Sequence, residues 1–154
     1  MIFIDTDIFV IDRLFQNDVR YEINKTFLNE TEGRSTSIFN LFELLGIASF
    51  NLNELGLMKL FKGFGVAYDL EILYPSTAFI SANEFAEALF EEIFQKIRLK
   101  MNFSDALILA VAEQYHCTEF ITWNKKHFVN RTYLSVQTPE ELMELKSKEM
   151  YTKR

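Results

Sequence analysis

The sequence has little cysteine, proline or glycine, and this shortage excludes several kinds of protein. Its 154 residues include one cysteine, two prolines and five glycines. A lone cysteine cannot form an internal disulfide, and Cys117 has no metal-ligand partners at zinc spacing. No linker, internal repeat or low-complexity segment is visible. We therefore expect Cys117 to be structural and residues 1–154 to form a single domain.

The sequence also lacks long apolar runs and a leader segment. No uninterrupted apolar stretch approaches the roughly 18 residues that a membrane-spanning helix needs. The chain enters an apolar strand at once, with no basic leading region and no small-residue cleavage site. These features predict a cytoplasmic protein with no membrane partner.

Positive charge is scarce, since 16 Lys and Arg residues face 22 Asp and Glu residues, for a net charge of −6. Affinity for phosphates comes from neutralising cations, so this balance argues against a protein that holds nucleic acid by bulk electrostatics. It does not exclude a nuclease. An acidic metal centre adds to the negative count, while its cation supplies positive charge locally.

Aromatic residues are plentiful, and the apolar residues alternate between short β-prone runs and helical spacing. We interpret most of the 16 Phe and 6 Tyr residues as core, and expect some to cover a subunit interface. Strands are predicted at 2–4, 71–74, 119–122 and 133–136, with a strand or turn at 34–37. Helices are predicted at 8–15, 19–28, 38–50, 54–61, 77–98 and 105–115, and from about 139 onward. The alternation predicts an α/β fold with a mostly parallel sheet of four to five strands flanked by helices.

Several helix boundaries are predicted from capping and breaking residues. The predicted N-caps of the helices at 38, 54, 77 and 105 are Ser37, Asn53, Ser76 and Ser104. The pair Gly63 and Gly65 is expected to end the helix that begins at 54. The helix at 77–98 carries an apolar stripe that we assign to the core; it consists of Phe79, Ile80, Phe85, Leu89, Phe90, Ile93 and Ile97.

Three acidic residues lie among apolar neighbours, and each is predicted near one edge of the sheet. Asp5 follows the first strand, while Glu43 and Asp105 fall in the early turns of two helices. An acid in apolar surroundings is costly unless a cation or a donor compensates it. Open parallel sheets place ligands beyond the carboxyl ends of their strands, where Thr122 and Asn124 also project. The pattern therefore predicts a shared cation and a metal-dependent enzyme.

Four segments of the chain, each with at least one of the candidate site residues, stand out together. They are Ile4-Asp5-Thr6-Asp7, Phe42-Glu43-Leu44-Leu45, Ser104-Asp105-Ala106-Leu107-Ile108-Leu109-Ala110-Val111-Ala112, and Phe120-Ile121-Thr122-Trp123-Asn124 followed by Phe128. Together they resemble PIN-domain ribonucleases, of the toxin type found in bacterial and archaeal toxin–antitoxin pairs. Their order and spacing agree with that family from residue 1 to about residue 136. The resemblance implies a PIN-like three-layer α/β/α sandwich.

The resemblance also implies a metal site. In that family four acidic positions hold magnesium or manganese, and the matching carriers here are Asp5, Glu43 and Asp105. The fourth position falls on the neutral Asn124, and His127 stands at a nearby place where relatives often carry another acid. An amide adds no charge, so we predict one tightly bound Mg²⁺ or Mn²⁺ rather than two.

The implied activity is metal-dependent hydrolysis of RNA phosphodiester bonds, with Asp5, Glu43, Asp105 and Asn124 as the catalytic residues. Further candidates for supporting or substrate contacts are Asp7, Thr122, Trp123 and Lys125. As the resemblance implies, a small antitoxin protein would block the site, commonly by inserting an Arg or other side chain among the acids. Family members also commonly form homodimers.

Other interpretations of the same residues remain open. Asp5 at a strand end could simply cap a helix, Asp105 could favour a helix dipole, and Glu43 could face solvent. The opening Asp5-x-Asp7 also resembles haloacid-dehalogenase-like phosphatases, in which Asp5 would be the nucleophile, but no convincing downstream motif follows. The neutral Asn124 is consistent with a degenerate PIN module that binds RNA or a protein without cutting.

Overall fold

A computed structural model of the chain describes residues 1–76, 78 and 81–152, with side chains described up to residue 148. The five strands found there are β1 (Ile2–Ile4), β2 (Arg34–Ser37), β3 (Glu71–Leu73), β4 (Glu119–Ile121) and β5 (Ser135–Gln137). The seven α-helices of the same part are α1 (Thr6–Leu14), α2 (Tyr21–Glu30), α3 (Ile38–Ala48), α4 (Glu54–Tyr68), α5 (Ala82–Arg98), α6 (Phe103–Gln114) and α7 (Pro139–Thr152). A short 3₁₀ helix covers Lys125–His127.

The strands form one parallel sheet in the order β3-β2-β1-β4-β5, with β1 at its centre. Its two faces are covered by different helices because side chains alternate along each strand. Phe3 and Phe120 stack on each other and pack with α5 and α6. Ile4 and Ile121 point the other way, into a core built with α1, α2, α3, α4 and α7. The predicted three-layer α/β/α fold is confirmed.

Most predicted boundaries agree with the structure to within two residues, but α4 is longer than the glycine signals predict. It continues through Gly63 and Gly65 and ends at Tyr68, where Asp69 adopts a left-handed conformation with φ of 48°. Each helical glycine costs up to about 1 kcal/mol relative to alanine. Burial of Phe64 and Tyr68 against Phe9 of α1 outweighs that cost, so the helix passes the predicted stop.

The start of α5 is also corrected. Ser81, not Ser76, is its N-cap, and Ser81 forms a capping box with Glu84. The backbone N–H of Ser76 instead donates to Gln114 Oε1 at 2.9 Å. Both serines precede apolar residues, and only Ser81 has a glutamate three residues later, which supplies the reciprocal hydrogen bond.

The apolar stripe assigned to the core of α5 is buried only in part. Ile93 is buried and Leu89 is half-buried, whereas Phe90 is 66% exposed and Ile97 is 41% exposed. Phe79 and Ile80, which were predicted to belong to the stripe, lie outside the described residues. The helix thus presents an apolar face both to α6 and to the surface.

The beginning of α6 differs from the prediction in a way that matters for the site. Asn102 is the N-cap and accepts a hydrogen bond from the Asp105 N–H, so the prediction that Ser104 caps the helix is wrong. Ser104 is the second residue of α6, and its side chain contacts Glu43 of α3. Within the described part of the chain, no helix is both long and apolar enough to cross a membrane.

Candidate functional site

A cavity of about 240 Å³ opens at the carboxyl ends of β1 and β4, next to the first turns of α1 and α6. The structure brings together here all four residues that the sequence predicts to be catalytic. The lining residues are Asp5, Thr6, Asp7, Val10, Glu43, Ile47, Asp105 and Asn124. Topology places them there, because β1 and β4 are adjacent parallel strands whose ends share one edge.

Asp5 is the most deeply buried acid of the cavity, with 7% of its surface exposed. It caps α1: Oδ1 accepts from the Thr6 N–H at 2.8 Å and from Asn40 Nδ2 at 3.3 Å. Oδ2 accepts from the Thr122 hydroxyl at 2.8 Å. Burial raises the pKa of Asp5 well above its usual value, and the charges of Asp7 and Glu43 raise it further. Asp5 is therefore both a helix cap and a carboxylate that lacks a compensating positive charge.

Asp7 lies beside Asp5 and shares one hydroxyl with it. Its Oδ2 accepts from the Trp123 N–H at 2.9 Å and lies 3.0 Å from Thr122 Oγ1. A hydroxyl carries one proton, so Thr122 donates to only one of the two carboxylates at a time. Burial raises the pKa of Asp7 to about 6, although hydrogen bonds from Thr122 and the backbone and the charge of Arg20 act in the opposite direction.

Glu43 and Asp105 approach the cavity from two different helices and are held by neighbouring side chains. Ser104 Oγ donates to Glu43 Oε1 at 2.7 Å, which ties α3 to α6. Asp105 Oδ2 accepts from Asn102 Nδ2 at 2.8 Å and lies 2.9 Å from His127 Nδ1. Burial raises the pKa of Asp105 and His127 opposes that shift, while the charge of Glu43 adds to it. Glu43 therefore faces the other acids across the cavity instead of facing only solvent.

Asn124 occupies the cavity wall between Thr122 and His127. Its N–H donates to Thr122 Oγ1 at 2.9 Å, and its side-chain Nδ2 lies 2.9 Å from His127 Nδ1. His127 thus contacts both Asn124 and Asp105. Asn124 and His127 therefore add no negative charge to this side of the cavity.

Two predicted supporting residues are directed elsewhere. The indole N–H of Trp123 donates to Asn24 Oδ1 at 2.9 Å, and its ring packs against the core on the α1 side of the sheet. Lys125 forms an ion pair with Glu141 at 2.7 Å and lines a separate surface hollow. In contrast, Thr122 is fully buried and central to the network. The site therefore relies on Thr122 more than on Trp123 or Lys125.

Sequence reasoning missed the residues that position the acids. Asn40, which is fully buried, connects Asp5 and Thr6 to the N-terminus of α3 through its side-chain amide. Its signal was the Ser37-x-x-Asn40 spacing of a capping box, in which Asn replaces the usual Glu. Ser104 and Asn102 lay in the same predicted cap region, and the local sequence does not reveal which of them caps and which reaches Glu43.

The donor set of the cavity fits a hard divalent cation, although the side chains are not arranged around one. Among the residues that the structure describes, no three His, Cys, Asp or Glu side chains are grouped so that they hold a metal ion as they stand. The reason is visible in the contacts: Ser104 engages Glu43, while Asn102 and His127 engage Asp105. Carboxylate oxygens are the ligands that magnesium and manganese prefer.

The chain is similar to proteins of known family and structure. A sequence model of the PIN domain family matches residues 2–131. No curated protein matches the chain in sequence. FitAcB from Neisseria gonorrhoeae shares its fold with a TM-score of 0.64 and 18% identity, over 91% of this chain and 99% of that one.

Two further solved structures have the same fold. A toxin–antitoxin complex from Klebsiella pneumoniae matches with a TM-score of 0.59 and 22% identity, over 90% of this chain and 98% of that one. VapC20 from Mycobacterium tuberculosis, a toxin that cleaves the Sarcin-Ricin loop, matches with a TM-score of 0.57 and 15% identity. That match covers 78% of this chain and 87% of VapC20.

Proposed function

This chain belongs to the PIN domain family, and from that premise we propose that it is a metal-dependent endoribonuclease and the toxin of a toxin–antitoxin pair. The observation that carries the proposal is the meeting of Asp5, Glu43 and Asp105 at one cavity on the carboxyl edge of the sheet. The reaction is hydrolysis of RNA phosphodiester bonds. We propose that the protein acts on RNA in the cytoplasm.

In this proposal Asp5, Glu43 and Asp105 hold a single Mg²⁺ or Mn²⁺. When bound, the cation would supply positive charge near the phosphoryl oxygens and lower the pKa of water at the site. Thr122 and Asn40 hold the Asp5 carboxylate, whereas Glu43 and Asp105 would turn from their present partners toward the cation. Asn124 contributes an amide that orients groups without adding charge.

The experiment that tests the proposal is cleavage of labelled structured and single-stranded RNAs in Mg²⁺, Mn²⁺ or EDTA. The parent chain is compared with Asp5→Asn and Asp105→Asn, and with Asp69→Asn as the control. Asp69 is an exposed helix cap far along the chain from these acids, and asparagine tolerates its left-handed backbone. We expect cation-dependent cleavage that both site variants lose and the control keeps.

A folded chain that leaves every RNA intact in both cations would contradict the nuclease proposal. In that case a degenerate PIN module, which the neutral Asn124 favours, becomes the better interpretation, provided that RNA binding remains. The phosphatase alternative has no support from the family match, since the whole of residues 2–131 follows the PIN pattern.

An antitoxin partner is supported by an apolar surface beside the acids. A hollow of about 460 Å³ lies between α1, α3 and α4. Phe42 of α3, Phe50 in the turn after α3 and Leu55 of α4 are 54, 89 and 58% exposed, and Ile47 of α3 also lines the acidic cavity. We propose that the antitoxin binds this surface, from which a basic side chain reaches the acids.

A homodimer is supported by a second apolar surface on α5 and α6. Phe90, Phe94 and Phe103 are each more than half exposed. A second copy of the chain that covered these rings would remove a large apolar area from water. Light scattering at micromolar concentration tests this, and we expect a dimer that Phe94→Lys converts to a monomer. A parent chain that is already monomeric at that concentration would contradict the proposal.

A further inference from the structure

The Asp7 carboxylate has one oxygen without a partner, and that oxygen belongs to a residue of the acidic cavity. Oδ1 is buried and accepts no hydrogen bond from any residue that the structure describes. Oδ2, in contrast, is held by the Trp123 N–H and faces the Thr122 hydroxyl. A buried polar atom without a partner costs free energy, so its presence calls for a group that the protein alone does not provide.

We propose that Asp7 is a fourth carboxylate ligand of the metal site and supplies the charge that Asn124 does not. The inference rests on the proposed function, because it needs a divalent cation at this cavity. Asp7 follows Asp5 by two residues, in the first turn of α1, and both line the cavity with Glu43 and Asp105. Oδ2 is held by the Trp123 N–H, which orients the carboxylate, and Oδ1 is the oxygen that has no partner among the described residues.

The structural duties of Asp7 do not require a carboxylate. The Trp123 N–H and the Thr122 hydroxyl need one acceptor oxygen, which an asparagine side chain also offers. An acid in the first turn favours the helix dipole, but a buried charge next to Asp5 costs more than the dipole returns. The second oxygen therefore remains unexplained by the fold, and a cation at the cavity would account for it.

The position of Asn124 supports the same inference. Thr122 Oγ1 contacts both Asp7 and the Asn124 N–H, so Asp7 and Asn124 are neighbours around one buried hydroxyl. Both residues line the cavity. A carboxylate on the Asp7 side and an amide on the Asn124 side give the same total charge as the reverse arrangement. A carboxylate introduced at position 124 should therefore replace the one at position 7.

The experiment measures Mn²⁺ binding by calorimetry and by the electron paramagnetic resonance signal of free Mn²⁺. It uses the parent chain and the variants Asp7→Asn, Asp5→Asn and Asp7→Asn/Asn124→Asp, with Asp69→Asn as a control that removes the same charge. Loss of an outer carboxylate alone costs about 10–100-fold in metal affinity, so we expect Asp7→Asn to weaken binding at least about tenfold. The double variant should recover most of that loss, and the control should bind like the parent.

The outcomes separate the inference from the function on which it rests. If Asp7→Asn binds Mn²⁺ within about twofold of the parent while Asp5→Asn does not bind, the metal site stands and the role of Asp7 is refuted. The role is also refuted if Asp7→Asn weakens binding and Asn124→Asp fails to restore it, since a positioning role gives no reason for rescue. If Asp5→Asn also binds normally, the proposed metal site itself fails. Thermal melts in EDTA establish that each variant is folded.

Discussion

Among the residues that the structure describes, one buried cluster of charged side chains lies between α5 and α6 and another lies at the end of β1, and their charges are compensated in different ways. Between α5 and α6, the amine of Lys96 pairs with Glu113 Oε2, and the other carboxylate oxygen accepts from Thr132 Oγ1 at 2.6 Å. At the end of β1, Asp5 and Asp7 lie beside each other, and their partners are hydroxyl and amide groups. The first cluster contains its own cation.

The presence or absence of a cation within the cluster separates a structural charge from a functional one. Lys96 is only 7% exposed, as is Asp5, so depth alone does not distinguish the clusters. The ion pair joins two helices, and its charges cancel within the protein. Burial raises the pKa of Asp5, and the charges of Asp7 and Glu43 raise it further, so the ionised acids make the fold less stable until a ligand of opposite charge binds.

Breaking the complete cluster should have the largest effect on stability. Replacing Lys96 with Met leaves Glu113 charged and partly buried, and loss of one partner of a buried pair costs about 3–5 kcal/mol. The free energy of unfolding from urea titrations measures this loss. Lys62→Met, on the exposed side of α4, removes the same charge as a control. A loss below about 1 kcal/mol would show that the pair is solvated and that the contrast with the cavity is weaker than its burial suggests.

The incomplete cluster should make the metal-free chain more stable as pH falls. The pKa of Asp7 is about 6 in the folded chain and about 4 when unfolded, so between these values the folded state holds a proton that the unfolded state releases. Stability therefore decreases as pH rises through this window, by roughly 2 kcal/mol for Asp7. The raised pKa values of Asp5 and Asp105 act in the same direction.

Thermal melts in EDTA between pH 4 and 7.5 measure this dependence. Asp7→Asn should flatten the curve and raise the melting temperature at pH 7.5, and the control Asp69→Asn should follow the parent. Added Mg²⁺ should stabilise the parent more at pH 7.5 than at pH 5, because the ligands must be ionised to bind it. A melting temperature that rises with pH across this window would contradict the account of the cavity.

The same contrast explains which parts of the molecule could be predicted from its sequence. The sheet, its helices and the meeting of Asp5, Glu43 and Asp105 follow from periodicity and from the topology of parallel strands, which act over whole elements. Whether a single charged side chain is buried with a partner depends instead on its nearest neighbours in the fold. Nothing in the local sequence of α5 shows that Lys96 is buried, because its partner Glu113 lies 17 residues away on α6.

Helix ends were harder to predict for a related reason. Ser76 and Ser81 precede α5, Asn102 precedes α6 and Ser104 is the second residue of α6, and each is a good N-cap by residue type. The choice depends on contacts across the fold, such as that of Ser104 with Glu43 of α3. Asp7 was predicted to make only supporting contacts, since its unpartnered oxygen becomes visible only when Thr122 and Trp123 are in place.

A helix cap at the site and one away from it should differ in function but not in stability. Asn102 caps α6 and holds Asp105 Oδ2, while Asn53 caps α4 on its own. Alanine at either position should cost about 1 kcal/mol, because each removes one capping hydrogen bond. Only Asn102→Ala should weaken Mn²⁺ binding, since it also removes the hydrogen bond that orients Asp105, a predicted metal ligand. Equal binding by both variants would mean that His127 alone is enough to orient Asp105.

The smallest effect on stability is expected from the surface ion pair of Lys125 and Glu141. Both side chains are partly exposed to solvent, and pairs of this kind contribute about 0–1 kcal/mol. Lys125→Gln and Glu141→Gln should therefore both melt close to the parent, in contrast to Lys96→Met. Their RNA cleavage rates test whether Lys125, a predicted substrate contact, exchanges Glu141 for a phosphate of the RNA. If it does, Lys125→Gln slows cleavage, whereas Glu141→Gln, which leaves the amine unpaired, does not. If neither variant changes the rate, the pair only connects α7 to the loop after β4.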